Sequence, residues 1–286
     1  MTLRALLIGG SGQLGTELRA QAADMWDIVS PSHAELDVAM PDILRASVAA
    51  IQPDLIVNAS AFHVVDLCEN RFGDALAINA LAVSNLAKAA AEVKARFVTI
   101  STDYAFDGAR RTPYREADAP SPVQCYGVSK VAGEMSALAA HPDGALVVRS
   151  CGLYGHASSR QKGGNFVLNR LADARTRKHI EVGSDLVCTP TAAADLAGAL
   201  ITMIAMHAPA GYYHVTNEGA CDWAAFTGAI FDLAKVSTKV IPVDRGGAYA
   251  PARRPPYSVL SCEKVASLGI KLPSWQSALA RYVETL

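Results

Sequence analysis

The chain of 286 residues carries 26 Lys and Arg against 27 Asp and Glu, a formal charge of −1. That balance excludes a broad basic platform for nucleic acid or for an acidic membrane surface, so an anionic ligand must be gripped by local groups. A chain of this length buries roughly three quarters of the surface its unfolded form exposes, enough for a core without disulfides or metals.

From the N-terminus, short apolar runs rich in β-formers alternate with Ala-rich amphipathic stretches, the pattern of βαβ units and a parallel sheet. Strands are predicted at 3–8, 27–30, 54–58, 96–101 and 145–150, and helices near 12–23, 41–51, 71–93 and 123–141. Leu55-Ile56-Val57 and Phe97-Val98-Thr99-Ile100 are the near-continuous runs expected of strands covered on both faces. After about residue 150 the alternation becomes irregular. Gly152 to Gly164 reads as a mobile loop, either a lid over a site or an ordinary surface excursion. A helix near 192–206 and a strand at 211–216 resume the first pattern, and 241–258 is rich in Pro, Gly and Arg. The fold class expected is α/β: a Rossmann-type doubly wound parallel sheet with a smaller, discontinuous α/β substrate lobe. Residues 1–150 and 187–216 are assigned to the dinucleotide-binding domain, and 151–186 and 217–286 to the substrate lobe.

The run Leu3 to Ile8 is too short for a membrane span or the apolar region of a signal peptide, which makes the cytoplasm the expected compartment. Six cysteines (68, 125, 151, 188, 221, 262) are scattered without a CxxC pair, and the seven histidines form no HxH or HExxH. Free thiols and no metal site are expected.

Gly9-Gly10-Ser11-Gly12-Gln13-Leu14-Gly15 sets glycines at 9, 12 and 15 directly after the first strand and at the start of the first helix. Missing side chains permit a tight turn and let backbone N–H groups and the helix N-terminus approach a pyrophosphate. Glycines also mark plain turns, but here the strand-before, helix-after context is present. Past the second strand, Ser30-Pro31-Ser32-His33 offers no carboxylate for a ribose 2′-hydroxyl, which favours NADP and leaves NAD open. Asp37 reads either as a group near the adenine or as a loop cap.

Tyr126-Gly127-Val128-Ser129-Lys130 sets a phenol and an ammonium four residues apart, on one face of a helix and about 6 Å apart along its axis. A free phenol titrates near pH ~10, and a neighbouring ammonium lowers that value, so Lys130 could make Tyr126 a usable acid. Ser101-Thr102 stands at the carboxyl end of a predicted strand, where ligands of open α/β sheets bind. A hydroxyl there can hold a carbonyl oxygen while Tyr126 supplies the proton and a nicotinamide the hydride.

With these residues the chain resembles an extended short-chain dehydrogenase/reductase, and most closely the dTDP-4-dehydrorhamnose reductase family. The resemblance runs nearly end to end through Gly9 to Gly15, Asn58-Ala59-Ser60-Ala61 with Asp66 and Glu69, Ile78-Asn79-Ala80, Ser101 to Gly108, Tyr126 to Lys130, Gly164-Asn165-Phe166, Thr189-Pro190-Thr191 and Ala252-Arg253-Arg254-Pro255. It implies NAD(P)H-dependent reduction of a 4-keto group on a nucleotide-linked 6-deoxy sugar. Thr102, Tyr126 and Lys130 would be catalytic. Gly9, Gly12, Gln13, Leu14, Gly15, Ser32, His33, Asp37, Ala59, Ser60, Ala61, Asn79 and Ser101 would join Tyr126 and Lys130 around the cofactor. The substrate would meet Val65, Thr102, Asp103, Tyr104, Phe106, Gly152, Asn165, Phe166, Arg253 and Arg254.

Dehydratase relatives follow the Thr with Asp-Glu, an acid and a base for elimination, whereas Asp103-Tyr104 here favours a single carbonyl reduction. Gly152 stands where the family usually has a Trp against the sugar, and His156 to Gly163 looks longer than in the rhamnose enzyme. An epimerase, or a reductase of another carbonyl compound, is therefore the competing enzymatic reading. A dinucleotide-binding regulatory subunit, like that of methionine adenosyltransferase, is the non-catalytic one. No nucleic-acid or membrane partner is expected, and helices 71–93 and 123–141 are candidates for pairing in a homodimer.

Overall fold

The computed structural model describes residues 2–157, 163–246 and 249–286. Its first half alternates strand and helix: β1 (Leu3–Ile8), α1 (Gln13–Gln21), β2 (Trp26–Val29), α2 (Pro41–Ile51), β3 (Leu55–Asn58), α3 (Val65–Asn70), α4 (Phe72–Leu76), α5 (Ala82–Glu92), β4 (Arg96–Thr102), α6 (Cys125–Ala140) and β5 (Ala145–Ser150). The second half adds β6 (Leu153–Tyr154), α7 (Phe166–Ala174), β7 (His179–Gly183), β8 (Val187–Cys188), β9 (Thr191–Ala192), α8 (Ala193–Ala205), β10 (Gly211–His214), β11 (Cys221–Asp222), α9 (Trp223–Leu233), β12 (Lys239–Val243), α10 (Glu263–Ser267) and α11 (Trp275–Glu284).

Six strands pair in the order β10-β5-β4-β3-β1-β2, every pair parallel. Alternate side chains of a strand face opposite ways, and here both faces are apolar. Ala5, Leu7, Val57 and Val148 pack under α1 and α8. Leu6, Ile8, Ile56 and Val147 pack under α2, α5 and α6. This is the doubly wound parallel sheet that the alternation predicts.

The single helix expected over 71–93 is interrupted. Arg71 leaves helical geometry at φ −128°, ψ 46°, and Ala77–Leu81 winds as a π-helix before α5 begins. Close packing accounts for the wide turn, since a Cβ at Gly133 of α6 would stand 2.0 Å from the Asn79 carbonyl oxygen. Such π-turns often mark functional sites, and this one aims Asn79 at the loop after β3.

A separate core gathers Val167 of α7, Ile180 and Val182 of β7, Phe226 and Ile230 of α9, and Trp275 and Leu279 of α11. There β7 and β12 form a two-stranded parallel sheet. Part of the loop expected over 152–164, residues 158–162, lies outside the described residues. Among the described residues no helix is long and apolar enough to cross a membrane, and no cluster of His, Cys, Asp and Glu could hold a metal.

Candidate active site

The strand order reverses beside β1, and in open α/β sheets the crevice at that reversal receives the ligand. Gly9 leaves β1 with φ +82°, and a Cβ there would lie 2.9 Å from the Ala59 carbonyl carbon and the Ser60 nitrogen beyond β3. Gly12 N donates to Gly9 O at 3.0 Å, and a Cβ on Gly15 would stand 2.3 Å from the same oxygen. Only glycines let α1 sit this close to the strand end. Asn58 Oδ1 accepts from Ser60 N at 3.2 Å and Ser60 Oγ at 2.7 Å, fixing Ala59 and Ser60, and Ala61 O meets the His63 ring at 3.3 Å.

This turn fits a dinucleotide pyrophosphate. Among the described residues no side chain caps the α1 N-terminus, leaving its first amides to an anion. Beside them the Gln13 side-chain oxygen is buried and has no partner among the described residues. Leu14 sends its side chain into the core, so only its backbone faces the turn. Ser32, His33 and Asp37 gather on an exposed turn past β2, with Ser32 N on the Glu35 carboxylate at 2.7 Å and Asp37 Oδ1 capping Ala39 N at 2.9 Å. Asn79 does not open to this crevice. Its amide is 1% exposed and engaged by both backbone groups of Phe62 and by Ser129 Oγ, all at 2.9 Å.

At the end of β4, Thr102 Oγ1 accepts from Tyr104 N at 3.1 Å and starts a short 3₁₀ turn over Asp103–Ala105. Opposite it begins α6, capped by the Gln124 side chain on Gly127 N at 2.9 Å and by Glu69 of α3 on Cys125 N at 2.8 Å. These two caps fix the first turn, which carries Tyr126. Thr102 lies near enough to the Tyr126 hydroxyl to favour its phenolate. One turn on, Lys130 Nζ donates to Ile100 O at 2.6 Å, and a further turn on, Glu134 accepts from Ser101 Oγ at 2.5 Å. Lys130 and Glu134 thus tie the middle of α6 to β4.

Burial dominates the electrostatics. It pushes the Tyr126 phenol well up, an ionised Asp103 would add to that, and Thr102 opposes both. Burial pushes Lys130 down to about 8, with Glu134 supporting its charge. The expected lowering of the phenol by Lys130 is therefore overridden here, and Thr102 is the neighbour that favours phenolate.

On the substrate side the expected residues separate. Phe106 is corrected: it is 0% exposed, stacked on Tyr114 at 4.2 Å with the Arg149 guanidinium 5.0 Å from its ring centroid, so it belongs to the core. Asn165, 3% exposed, is a joint, since it caps Leu168 N and donates to Gly155 O and the Tyr282 hydroxyl. Asp103 and Tyr104 remain beside Tyr126, whose ring meets Tyr104 edge-on at 6.3 Å. Val65 is half-buried at the start of α3. Gly152 takes φ +53°, and a Cβ there would touch Trp223 Cη2 at 3.0 Å. That indole lies against Phe166 at 4.5 Å between ring centroids. Arg253 is exposed, whereas Arg254 is clamped on Asp66 by two bonds of 3.0 and 3.1 Å.

Four groups here escape a motif-based reading: Glu134, Arg149, Ser258 and Trp223. Arg149 carried a signal, a lone charge inside the apolar run Ala145 to Ser150. Glu134 carried another, four residues past Lys130 on the same helical face.

Residues 3–286 match the family described as the RmlD substrate binding domain. The chain belongs to this family. Among curated family relatives, a spore coat polysaccharide biosynthesis protein, SpsK, of Bacillus subtilis is 34% identical over 98% of this chain and 97% of its own length. A dTDP-4-dehydrorhamnose reductase of Mycobacterium tuberculosis is 36% identical over 97% of this chain and 91% of its own. Among solved structures, the dTDP-4-dehydrorhamnose reductase of Bacillus anthracis in complex with NADP superposes with a TM-score of 0.95, at 33% identity over 100% of both chains.

Proposed function

We propose that this chain is an NADPH-dependent oxidoreductase that reduces the 4-keto group of a dTDP-linked 6-deoxy sugar, as relatives named dTDP-4-dehydrorhamnose reductase do. The carrying observation is Thr102 at the carboxyl end of β4 with Tyr126 of α6 beside it, on the same carboxyl edge of the parallel sheet as the glycine turn. Bound NADPH supplies the hydride. Thr102 holds the ketone oxygen, Tyr126 delivers its proton to the nascent alkoxide, and the buried Lys130 ammonium balances the phenolate left behind. NADP is favoured over NAD because the two carboxylates past β2, Glu35 and Asp37, are each engaged by a backbone amide. Asp103-Tyr104 supplies no second acid-base pair for elimination, which favours simple reduction.

Residues 1–150 with 187–216 form the cofactor lobe in this reading, and 151–186 with 217–286 the substrate lobe; the separate core of α7, β7, α9 and α11 supports the division. Arg253, exposed and free of the Asp66 clamp on its neighbour, is assigned to the substrate diphosphate. Leu81, Val128 and Met135, exposed on the π-turn and α6, support a homodimer through these helices. All six cysteines are unpaired, as the reducing cytoplasm keeps thiols.

The test is to incubate the protein with NADPH and dTDP-4-dehydro-6-deoxyhexose and follow the nicotinamide absorbance. Consumption with formation of a dTDP-6-deoxyhexose is expected. No consumption with dTDP-, UDP- or GDP-linked 4-keto sugars overturns the assignment.

A further inference from the structure

Asp103 is 4% exposed, yet three polar groups converge on it. Its Oδ1 lies 3.1 Å from Thr102 Oγ1, its Oδ2 lies 2.5 Å from Ser258 Oγ, and the Cys151 thiol lies close enough to act on it. The phenols of Tyr104 on its own turn and Tyr126 on α6 stand where they would feel its charge were it ionised, and behind Cys151 stands Cys188 of β8. Of the nearby cations, Arg254 acts on Tyr104 and is clamped on Asp66, and Lys130 is held on Ile100 O. Burial raises the Asp103 carboxyl, opposed by hydrogen bonds from Ser258, Cys151 and Thr102.

A proton inventory decides what this carboxyl can do. Thr102 Oγ1 has one proton and two lone pairs. Tyr104 N–H fills one lone pair. An ionised Asp103 only accepts, so the Thr102 proton would have to point at it and none would remain for a ketone. A protonated Asp103 reverses the bond: its O–H fills the second lone pair, and the Thr102 proton turns toward Tyr126 and the space where the carbonyl arrives. The ketone oxygen then receives two donors, Thr102 and Tyr126.

We propose that Asp103 is a positioning residue kept as a neutral carboxylic acid, donating to Thr102 so that the Thr102 proton is left for the substrate ketone. This rests on the carbonyl reduction proposed above. Ser258 completes the arrangement by donating to the other carboxyl oxygen.

Asparagine reproduces the donor and acceptor pattern of the neutral acid, and alanine does not. Asp103→Ala is expected to lower kcat about 10–100-fold with KM little changed, the size of a misaligned oxyanion donor. Asp103→Asn is expected to recover kcat to within about tenfold of the wild type. On the alkaline side the wild-type rate should fall with loss of two protons, from Asp103 and Lys130, and the Asp103→Asn rate with loss of one. Ser258→Ala removes a donor that favours the ionised carboxyl, and should move the Asp103 ionisation to higher pH. Infrared spectra of the protein without substrate give a separate readout: a carboxylic C=O band at neutral pH, absent from Asp103→Asn. A missing band in the wild type overturns the proposal, as does a folded Asp103→Asn no more active than Asp103→Ala. Should the wild type fail to oxidise NADPH with any 4-keto sugar, the assigned reaction fails, and the infrared band still decides the state of Asp103.

Discussion

Glu134 and Arg149 form a two-pronged ion pair in the interior, with Nε to Oε1 at 2.8 Å, Nη2 to Oε2 at 2.6 Å and both side chains 1% exposed. The guanidinium lies between the rings of Phe106 and Tyr212, at 5.0 and 4.6 Å from their centroids. Because Glu134 also accepts from Ser101, the pair ties α6 to β5 and to the strand end bearing Thr102. Removing one partner leaves the other charge buried, and that penalty exceeds the net worth of the intact pair. Arg149→Met should destabilise the fold by about 3–5 kcal/mol. The double variant Glu134→Leu with Arg149→Met should be markedly more stable than the single one. Denaturant titration measures both, and equal stability of single and double variants would show that the unpaired carboxylate is not the cause.

Lys130 should set an alkaline limit on the reduction. Burial holds its ammonium down at about 8, so the charge is present below that pH and lost as pH rises through it. The rate kcat/KM should decline above pH 8, and Glu134→Gln, which removes the carboxylate supporting the charge, should move that decline to lower pH. Tyr126→Phe should lower kcat by ~10²–10⁴-fold while NADPH affinity persists. A Phe variant with unchanged turnover would remove the phenol from the proton step.

Gly9 tests the cofactor crevice directly. Its φ of +82° is strained for any L side chain, and an added methyl would press on Ala59 and Ser60 backbone atoms, which cannot swing aside. Gly9→Ala should lose about 1–3 kcal/mol of stability and bind NADPH at least tenfold more weakly by fluorescence titration. Near-native affinity would mean that the pyrophosphate lies elsewhere.

The parallel sheet was legible because each strand repeats one simple pattern, apolar on both faces between amphipathic helices. Glycines at 9, 12 and 15 and the pair Tyr126 and Lys130 were legible because their spacing within one element fixes their geometry. What escaped depends on contacts between distant segments. Ser258 reaches Asp103 from the far end of the chain, and Phe106 sits inside a motif otherwise facing the site, so only packing against Tyr114 and Arg149 shows it turned inward. The elements after residue 216 were missed although Asp222 and Ser274 cap α9 and α11 through ordinary N-cap bonds. Their apolar faces serve the separate core, which has no strand alternation to announce it.

Trp223 is one such distant contact with a consequence for specificity. Its half-buried indole covers the space that Gly152 leaves empty at the end of β5 and rests on Phe166. An aromatic face in that place suits the apolar side of a deoxy sugar. Trp223→Ala should raise KM for the sugar nucleotide about tenfold and leave the Kd for NADPH unchanged, with Trp223→Phe between the two. A KM indifferent to both substitutions would make the indole a packing group only.

His214 shapes the acid limb of stability. Its Nδ1 faces Tyr114 O at 3.1 Å and its Nε2 faces Arg149 at 3.4 Å, so the neutral ring with its proton on Nδ1 satisfies both neighbours. Burial and the Arg149 charge push the imidazole down from 6.5 to about 3. Between those values the unfolded chain binds a proton that the folded chain refuses, so stability falls as pH drops below 6.5 and the loss is complete near 3. The slope from this one group is at most about 1.4 kcal/mol per pH unit. His214→Gln cannot titrate, and its stability should change less steeply between pH 6 and pH 4 even if it starts lower. Denaturation midpoints across that range measure the difference. Parallel curves for variant and wild type would place the acid sensitivity on other groups.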